Sequence, residues 1–189
     1  SFKNRTVLHF DIPKIRGPLL MDLNKDGWLD IAAQVEFGKI RFWWGGPGGF
    51  KDERITNIDL GRKDELMYLT AADVNNDGWL DLFCPHRAAP EGNIDNSYLY
   101  FGSANGYSNN NRILIPSYVP YQNCFADINK DGWLDLFLTS YGGEVSGNRP
   151  SLIYWGSKDG FKPERTELET YGSSGAEVLD YDGDGWLDI

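Results

Sequence analysis

The sequence predicts an all-β protein, a β-propeller of four-stranded antiparallel blades, and three observations support this fold class. A nine-residue acidic loop occurs four times, at 22–30, 73–81, 127–135 and 180–188, which we number loops 1 to 4. The loops follow one another at intervals of 51, 54 and 53 residues, a period typical of propeller blades. The segments between them are short, rich in β-branched and aromatic residues, bounded by Gly, Pro, Asn and Asp, and without a convincing helical period.

Each loop has a residue pattern that suits a hard cation. Loop 1 reads D-L-N-K-D-G-W-L-D, and all four copies have an acid at position 1, Asn or Asp at 3, Asp at 5, Gly at 6 and Asp at 9. Oxygen-bearing side chains at alternate positions of a tight loop converge on one point, and the position-7 carbonyl adds another ligand. Zinc and copper prefer the His and Cys that these loops lack. Four copies with one spacing favour up to four Ca²⁺ sites over acidic turns without metal.

The formal net charge of −10 arises largely in the loops. They contain 13 carboxylates, three in each of loops 1 to 3 and four in loop 4, so four calcium ions would bring the formal charge to −2. This charge disfavours binding to nucleic acid and to anionic membrane surfaces, and we expect no membrane insertion because no apolar run is long enough. Since clustered carboxylates repel one another, we expect folding and calcium binding to be coupled.

The strands can be predicted in chain order within each repeat. Each of the first three loops is followed by an apolar strand, at 29–35, 80–84 and 134–139. An aromatic strand that ends in Gly comes next, at 40–45, 97–102 and 151–156. A third strand, at 54–58, 112–115 and 165–168, precedes a fourth that enters the next loop, at 66–72, 123–126 and 176–179. The chain opens just before an outer strand at 6–12.

The repeat unit resembles the FG-GAP/VCBS repeat, the family of the integrin α-subunit propeller and of many secreted bacterial proteins. The resemblance rests on D-x-N-x-D-G-W-L-D-[IL], on the aromatic strand ending in Trp/Phe-Gly-Gly/Ser, and on the Gly-Phe/Tyr that follows. The Gly-Ala-Pro that follows the loop in integrins is replaced at 32–34, 84–86 and 138–140, so the chain is closer to the bacterial VCBS type. The resemblance implies a calcium-stabilised propeller, usually of about seven blades.

The resemblance also implies a set of metal ligands in each loop. Carried over position by position, these are Asp22, Asn24, Asp26, Trp28 and Asp30 in loop 1; Asp73, Asn75, Asp77, Trp79 and Asp81 in loop 2; Asp127, Asn129, Asp131, Trp133 and Asp135 in loop 3; and Asp180, Asp182, Asp184, Trp186 and Asp188 in loop 4. Each Trp contributes its backbone carbonyl.

Residues 1–189 form three full repeats and part of a fourth, about three and a half blades of an expected seven-bladed ring. Such an array would leave apolar blade faces and strand edges exposed. We therefore expect a single propeller segment that is a fragment of a longer chain. A homodimer that completes the ring is the alternative.

The turns at the ends of the blades fall on two faces, because successive strands alternate in direction. The calcium loops share one face with the Gly-rich turns at 45–49, 103–106 and 157–160. The opposite face has the variable segments 85–96 and 141–150 and the turns at 14–17, 61–65, 117–122 and 171–175. We expect a protein or glycan partner there, with solvated turns as the alternative. The candidate contact residues are His86, Arg87, Glu91, Asp95, Tyr118, Tyr121, Tyr141, Glu144 and Arg149.

No catalytic constellation is recognisable, so the chain is not expected to be an enzyme. The only histidines are His9 and His86, in no spacing typical of a triad. We expect an extracellular, periplasmic or cell-surface calcium-binding propeller that acts as a protein-interaction or adhesion scaffold. A carbohydrate-binding propeller and an accessory domain of a polysaccharide-acting enzyme are the alternatives.

Two sequence features leave their interpretation open. The loop tryptophans either pack between blades or stack on sugars. Cys84 and Cys124 are either free thiols or a disulfide that joins neighbouring repeats.

Overall fold

Three four-stranded antiparallel sheets make up the protein in a computed structural model that describes residues 15–36, 38–61, 68–87, 95–141 and 149–189. Blade A contains β1 (Ile15–Met21), β2 (Asp30–Val35), β3 (Lys39–Trp43) and β4 (Ile55–Asp59). Blade B contains β5 (Thr70–Ala72), β6 (Asp81–Cys84), β7 (Asp95–Tyr100) and β8 (Arg112–Ser117). Blade C contains β9 (Pro120–Ala126), β10 (Asp135–Ser140), β11 (Ser151–Tyr154) and β12 (Arg165–Leu168).

Each blade is a meander in which consecutive strands pair antiparallel, in the order β1-β2-β3-β4 and its two equivalents. The predicted all-β fold class and the four-stranded blade are thereby confirmed. The described residues contain no α-helix and one short 3-10 turn, Asp52–Arg54. Within the same ranges no helix has the length and apolar character needed to cross a membrane.

The blades pack face to face because the second strand of each blade is apolar on both sides. All four residues of β6 and all six of β10 are buried. Alternate residues of a strand point to opposite faces, so Leu82 joins the cluster between blades A and B, whereas its neighbour Phe83 joins the cluster between blades B and C. The near-continuous apolar runs after loops 2 and 3 are therefore the cores of two interfaces.

The innermost strands of blades B and C also touch. The side-chain amide of Asn123 in β9 donates to the backbone carbonyl of Tyr68, just before β5, at 2.9 Å. Asn123 is buried, so this bond satisfies one side-chain N–H that packing removes from water. It fixes the relative height of the two blades near their inner edge.

Two predicted turns contain strand residues instead. The turn expected at 14–17 is wrong for its described part, because β1 begins at Ile15 and accommodates Gly17 and Pro18 as an irregularity in its pairing between Arg16 and Leu19. Gly and Pro are tolerated in an edge strand at such a bulge. The turn expected at 117–122 is shorter than predicted, because β8 ends at Ser117 and β9 begins at Pro120.

The fourth predicted strand of the last repeat, at 176–179, is also wrong. Leu179 makes a single antiparallel bridge with Asp188, and the described residues show no longer pairing there. The strand expected at 6–12, with His9, lies outside the described residues.

Both cysteines are free thiols, which confirms one of the two interpretations. Cys84 is fully buried in β6, and burial raises the pKa of its thiol well above the ordinary value. Cys124 in β9 is half-buried, and burial raises the pKa of its thiol to about 11. Neither thiol has the lowered pKa of a reactive cysteine.

Candidate metal centres

Loops 1 to 3 connect the first and second strands of blades A, B and C. Because the blades repeat one meander, the three loops lie at the same end of their sheets. Position 4 adopts a positive φ in each, at Lys25 (61°), Asn76 (57°) and Lys130 (60°), and Gly follows two residues later with φ near 90°. The tight turn predicted from the Gly is therefore present in every blade.

The backbone of each loop donates hydrogen bonds to carboxylates of the same loop. In loop 1 the two carboxylate oxygens of Asp22 accept hydrogen bonds from the backbone N–H groups of Asp26 (3.1 Å) and Gly27 (2.9 Å). The side chain of Asp26 accepts one from the N–H of Trp28 at 2.9 Å. Loops 2 and 3 repeat these bonds. The carboxylates of positions 1 and 5 are thus held by the backbone of their own loop.

In loops 1 to 3, position 9 is a buried carboxylate that ties the loop to the end of the third strand. Asp81 accepts hydrogen bonds from the backbone N–H groups of Val74 (3.0 Å) and Gly102 (2.9 Å), one at each oxygen. Asp30 and Asp135 make the equivalent pairs of bonds, and all three residues are 0% exposed. We call them the bridging aspartates. Sequence reasoning predicted them only as metal ligands and missed this structural role.

Burial raises the pKa of each bridging aspartate, against the lowering effect of the backbone donors. The pKa of Asp81 rises to about 6, mainly by desolvation, with the nearby carboxylates of Asp77 and Asp73 adding to the increase. Desolvation by burial is also the main reason why the pKa values of Asp30 and Asp135 are raised. A nearby cation would favour the ionised form of all three.

The Gly at the end of each aromatic strand is required by close contact with the loop. A Cβ on Gly102 would lie 2.3 Å from the carbonyl oxygen of Leu80 and 3.1 Å from the Cβ of Trp79. Gly45 and Gly156 would meet the carbonyls of Leu29 and Leu134 at 2.2 Å each. This contact explains the repeated Trp/Phe/Trp-Gly signature. The signature indicates a close approach at the Gly, but the sequence alone does not identify the loop as the neighbour.

Loop 4 differs from the other three loops at position 3. In loops 1 to 3 the position-3 Asn donates its side-chain amide to the position-5 Asp, as Asn24 does to Asp26 at 3.1 Å. Loop 4 has Asp182 instead, which cannot donate when ionised. Ligand oxygens of Asp180, Asp182 and Asp188 lie within 4.8 Å of one another, so three like charges converge there without an amide between them.

The donor set of all four loops fits a calcium ion. Carboxylate, amide and carbonyl oxygens are the ligands that Ca²⁺ takes, in numbers and geometries that the flexible loop allows. The group in loop 4 is the one cluster of three acidic ligands within the described ranges.

A sequence profile of the FG-GAP-like repeat matches the chain twice, at residues 22–84 and 127–189, which together cover two thirds of it. The chain belongs to the FG-GAP-like repeat family. These repeats form β-propellers, are not an enzyme family, and are typical of extracellular or surface proteins. A comparison with curated proteins finds no match.

Two of the four loop tryptophans of this FG-GAP-like chain, Trp79 and Trp186, contact the preceding loop. The Lys25 ammonium lies 5.2 Å from the ring centroid of Trp79, and the Lys130 ammonium lies 3.9 Å from that of Trp186. These cation–π contacts link loop 1 to loop 2 and loop 3 to loop 4. They favour the packing interpretation for Trp79 and Trp186, although Trp186 remains 55% exposed, and Trp28 is 48% exposed.

Several candidate partner residues cluster on the face opposite loops 1 to 3. The ring centroids of Tyr121 and Tyr141 are 5.4 Å apart, and Tyr68 lies 5.9 Å from Tyr121. The guanidinium of Arg149 lies 5.5 Å from the ring of Tyr118. Four of the predicted residues therefore form two contacting pairs, Tyr121 with Tyr141 and Arg149 with Tyr118.

The other candidates are dispersed. Arg87 is exposed, whereas His86 is only 1% exposed and packs its ring edge-on against Tyr98. Its Nδ1 lies 3.8 Å from the carboxylate of Asp95. Burial makes His86 a core residue rather than the surface contact that the sequence suggested. Glu91 and Glu144 lie outside the described residues.

Proposed function

We propose that this chain is a calcium-binding part of an extracellular, periplasmic or cell-surface β-propeller that acts as a protein-interaction or adhesion scaffold. The observation that carries the proposal is the convergence of Asp180, Asp182 and Asp188 within 4.8 Å in a loop that the chain repeats four times. Like charges at that separation repel one another unless a cation is shared between them.

Calcium has a structural role in this proposal. In loop 1 the holding residues are Asp22, Asn24, Asp26 and Asp30, together with the Trp28 carbonyl, and the other loops supply their equivalents. The bound ion supplies positive charge that offsets the 13 loop carboxylates. At the millimolar calcium outside cells, sites with Kd of about 10⁻⁴ M are largely filled and sites with Kd of about 10⁻³ M are about half filled, which supports the proposed location.

Replacing Asp77 with Ala tests the metal role without disturbing the core. Asp77 is exposed, and its carboxylate accepts hydrogen bonds from the N–H of Trp79 (2.8 Å) and the amide of Asn75 (2.9 Å). Water can replace both partners, so we expect little change in stability in chelator. In calcium we expect a loss of about 1–2 kcal/mol in the free energy of unfolding, because one site no longer binds.

Urea unfolding in calcium and in chelator measures the effect. Asp159→Ala is the matched control, because Asp159 is exposed and lies outside the four loops; it should leave stability unchanged in both buffers. Equal losses for Asp77→Ala in the two buffers would refute a metal role for loop 2.

Carbohydrate binding is a second candidate, favoured by a groove of about 400 Å³ between blades A and B. Trp44 and Tyr107 line it, and each ring stacks on the buried ring of Phe42 with centroids 5.2 Å apart. Asn57 and Asn105 also line the groove, and aromatic rings beside amides suit a sugar. A glycan array probed with the calcium-loaded protein and with its Trp44→Ala variant distinguishes this candidate from a protein scaffold.

A further inference from the structure

A second pocket lies on the face opposite the calcium loops, at the outer edge of blade C. It has a volume of about 470 Å³ and is lined by Arg149, Pro150, Glu167, Glu169, Thr170 and Tyr171. The position follows from the meander, because the N–H of Gly156, just after β11, bonds to Asp135 of loop 3. The start of β11 and the end of β12 therefore lie at the other end of the blade. We call this the Arg149 pocket.

The guanidinium of Arg149 is held in place but lacks an acceptor. Thr170 Oγ1 donates to the Arg149 carbonyl at 3.2 Å and accepts from the N–H of Ser151 at 3.1 Å, which fixes the backbone. The guanidinium packs over the ring of Tyr118. Its Nε is buried and has no hydrogen-bond partner in the described part of the chain. A buried donor without a partner is costly. Arg149 also lines the pocket, and its guanidinium forms no ion pair with a described carboxylate, so a ligand carboxylate in the pocket would provide an acceptor for the guanidinium.

The two carboxylates of the pocket differ. Glu167 accepts a hydrogen bond from Arg165 at 3.1 Å and is already paired. Glu169 is exposed and makes no ion pair or hydrogen bond with any described residue. One pocket therefore presents an available cation and an available anion that do not neutralise each other.

The charges indicate what kind of ligand would bind. A purely anionic ligand would meet the carboxylates of Glu167 and Glu169 and the net charge of −10. A purely cationic ligand would leave Arg149 without an acceptor. A ligand with both charges satisfies both groups and is not repelled overall. The ring of Tyr171, 77% exposed, offers apolar contact beside them.

We propose that the Arg149 pocket binds a segment of a protein partner in which an acidic and a basic side chain lie close together. The acidic side chain binds Arg149 through two parallel hydrogen bonds, and the basic one binds Glu169. The pocket is open at the surface and lies at an outer strand, so it receives a chain segment rather than an enclosed small molecule. This inference rests on the proposed scaffold function and names the chemistry of its partner.

A peptide array on the full chain, loaded with calcium, tests the pocket. The probes are blocked Gly/Ser hexapeptides that contain one Asp or Glu and one Lys or Arg at different spacings, compared with acid-only, base-only, two-acid and uncharged versions. We expect at least one spacing to bind about tenfold more strongly than any single-charge peptide. Arg149→Gln and Glu169→Gln should each remove this preference.

A charge reversal gives a readout that unfolding cannot mimic. Glu169→Lys places a second cation in the pocket, so the preference should move to peptides with two acidic residues. Glu164→Gln, an exposed change outside the pocket, should bind like the wild type, and thermal unfolding checks that every variant is folded. Equal binding of paired and single charges, or a preference unaffected by Glu169→Lys, would overturn the proposal.

The outcome is separable from that of the proposed function. Binding to a glycan array with no binding to any charge-paired peptide would also overturn the assignment of the pocket. If the pocket fails while calcium still raises the unfolding temperature, the calcium-binding propeller stands and only the partner chemistry is lost.

Discussion

Asp81→Ala is expected to lower the free energy of unfolding by about 2–6 kcal/mol, because it leaves two buried N–H groups without acceptors at about 1–3 kcal/mol each. These are the N–H groups of Val74 and Gly102, which join loop 2 to the end of β7. The raised pKa of Asp81, about 6, shows that burying this carboxylate is itself unfavourable. The Ala variant recovers part of that cost, which limits the loss.

The loss should already occur in chelator, because the two hydrogen bonds exist without the metal. It should be larger in calcium, where the variant also loses a proposed calcium ligand. Urea unfolding in both buffers measures it. Asp77→Ala, on the exposed side of the same loop, serves as the comparison and should be close to the wild type in chelator. A loss for Asp81→Ala that appears only in calcium would mean that this residue acts as a ligand and not as a structural bridge.

Gly102→Ala is expected to cost about 1–3 kcal/mol or more, as overpacking in a tight interior does. The new Cβ would lie 2.3 Å from the carbonyl oxygen of Leu80 and 3.1 Å from its carbonyl carbon. Both are backbone atoms, so the end of β7 and loop 2 must separate. That separation also lengthens the hydrogen bond between Gly102 and Asp81.

Gly175→Ala is the matched control for the steric effect. A Cβ there would meet only the side-chain oxygen of Gln122, at 3.3 Å, and a flexible side chain can move. We expect a change within about 0.5 kcal/mol. Thermal unfolding of both variants measures the difference, and similar small changes would show that the loop and β7 are not in close contact.

The repeated loop is what made the fold predictable. The spacing of its copies gives the length of the blade. The alternation of apolar and aromatic segments with turn residues between the copies indicates where the strands lie. The buried runs after loops 2 and 3 could be assigned to strands because β6 and β10 lie between blades and are apolar on both faces. Four copies of one pattern constrain the interpretation more than any single segment.

What the sequence could not predict depends on contacts between distant residues. Asp81 and Gly102 are 21 residues apart, and a pattern of ligands gives no reason to pair them. Gly17 and Pro18 have the composition of a turn, yet β1 pairs with β2 across an irregularity in register. The lack of an acceptor at Arg149 becomes apparent only when Tyr118 and Thr170 are placed around it.

The most direct test of the calcium-stabilised propeller is thermal unfolding of the wild-type chain in millimolar calcium and in excess chelator. Each site whose Kd is about tenfold below the calcium concentration adds about 1.4 kcal/mol. Four such sites would raise Tm by about 10 °C or more in a chain of this size. The account predicts that rise, with chelator reversing it. Identical unfolding curves in the two buffers would contradict it, because the loops would then be acidic turns that bind no metal.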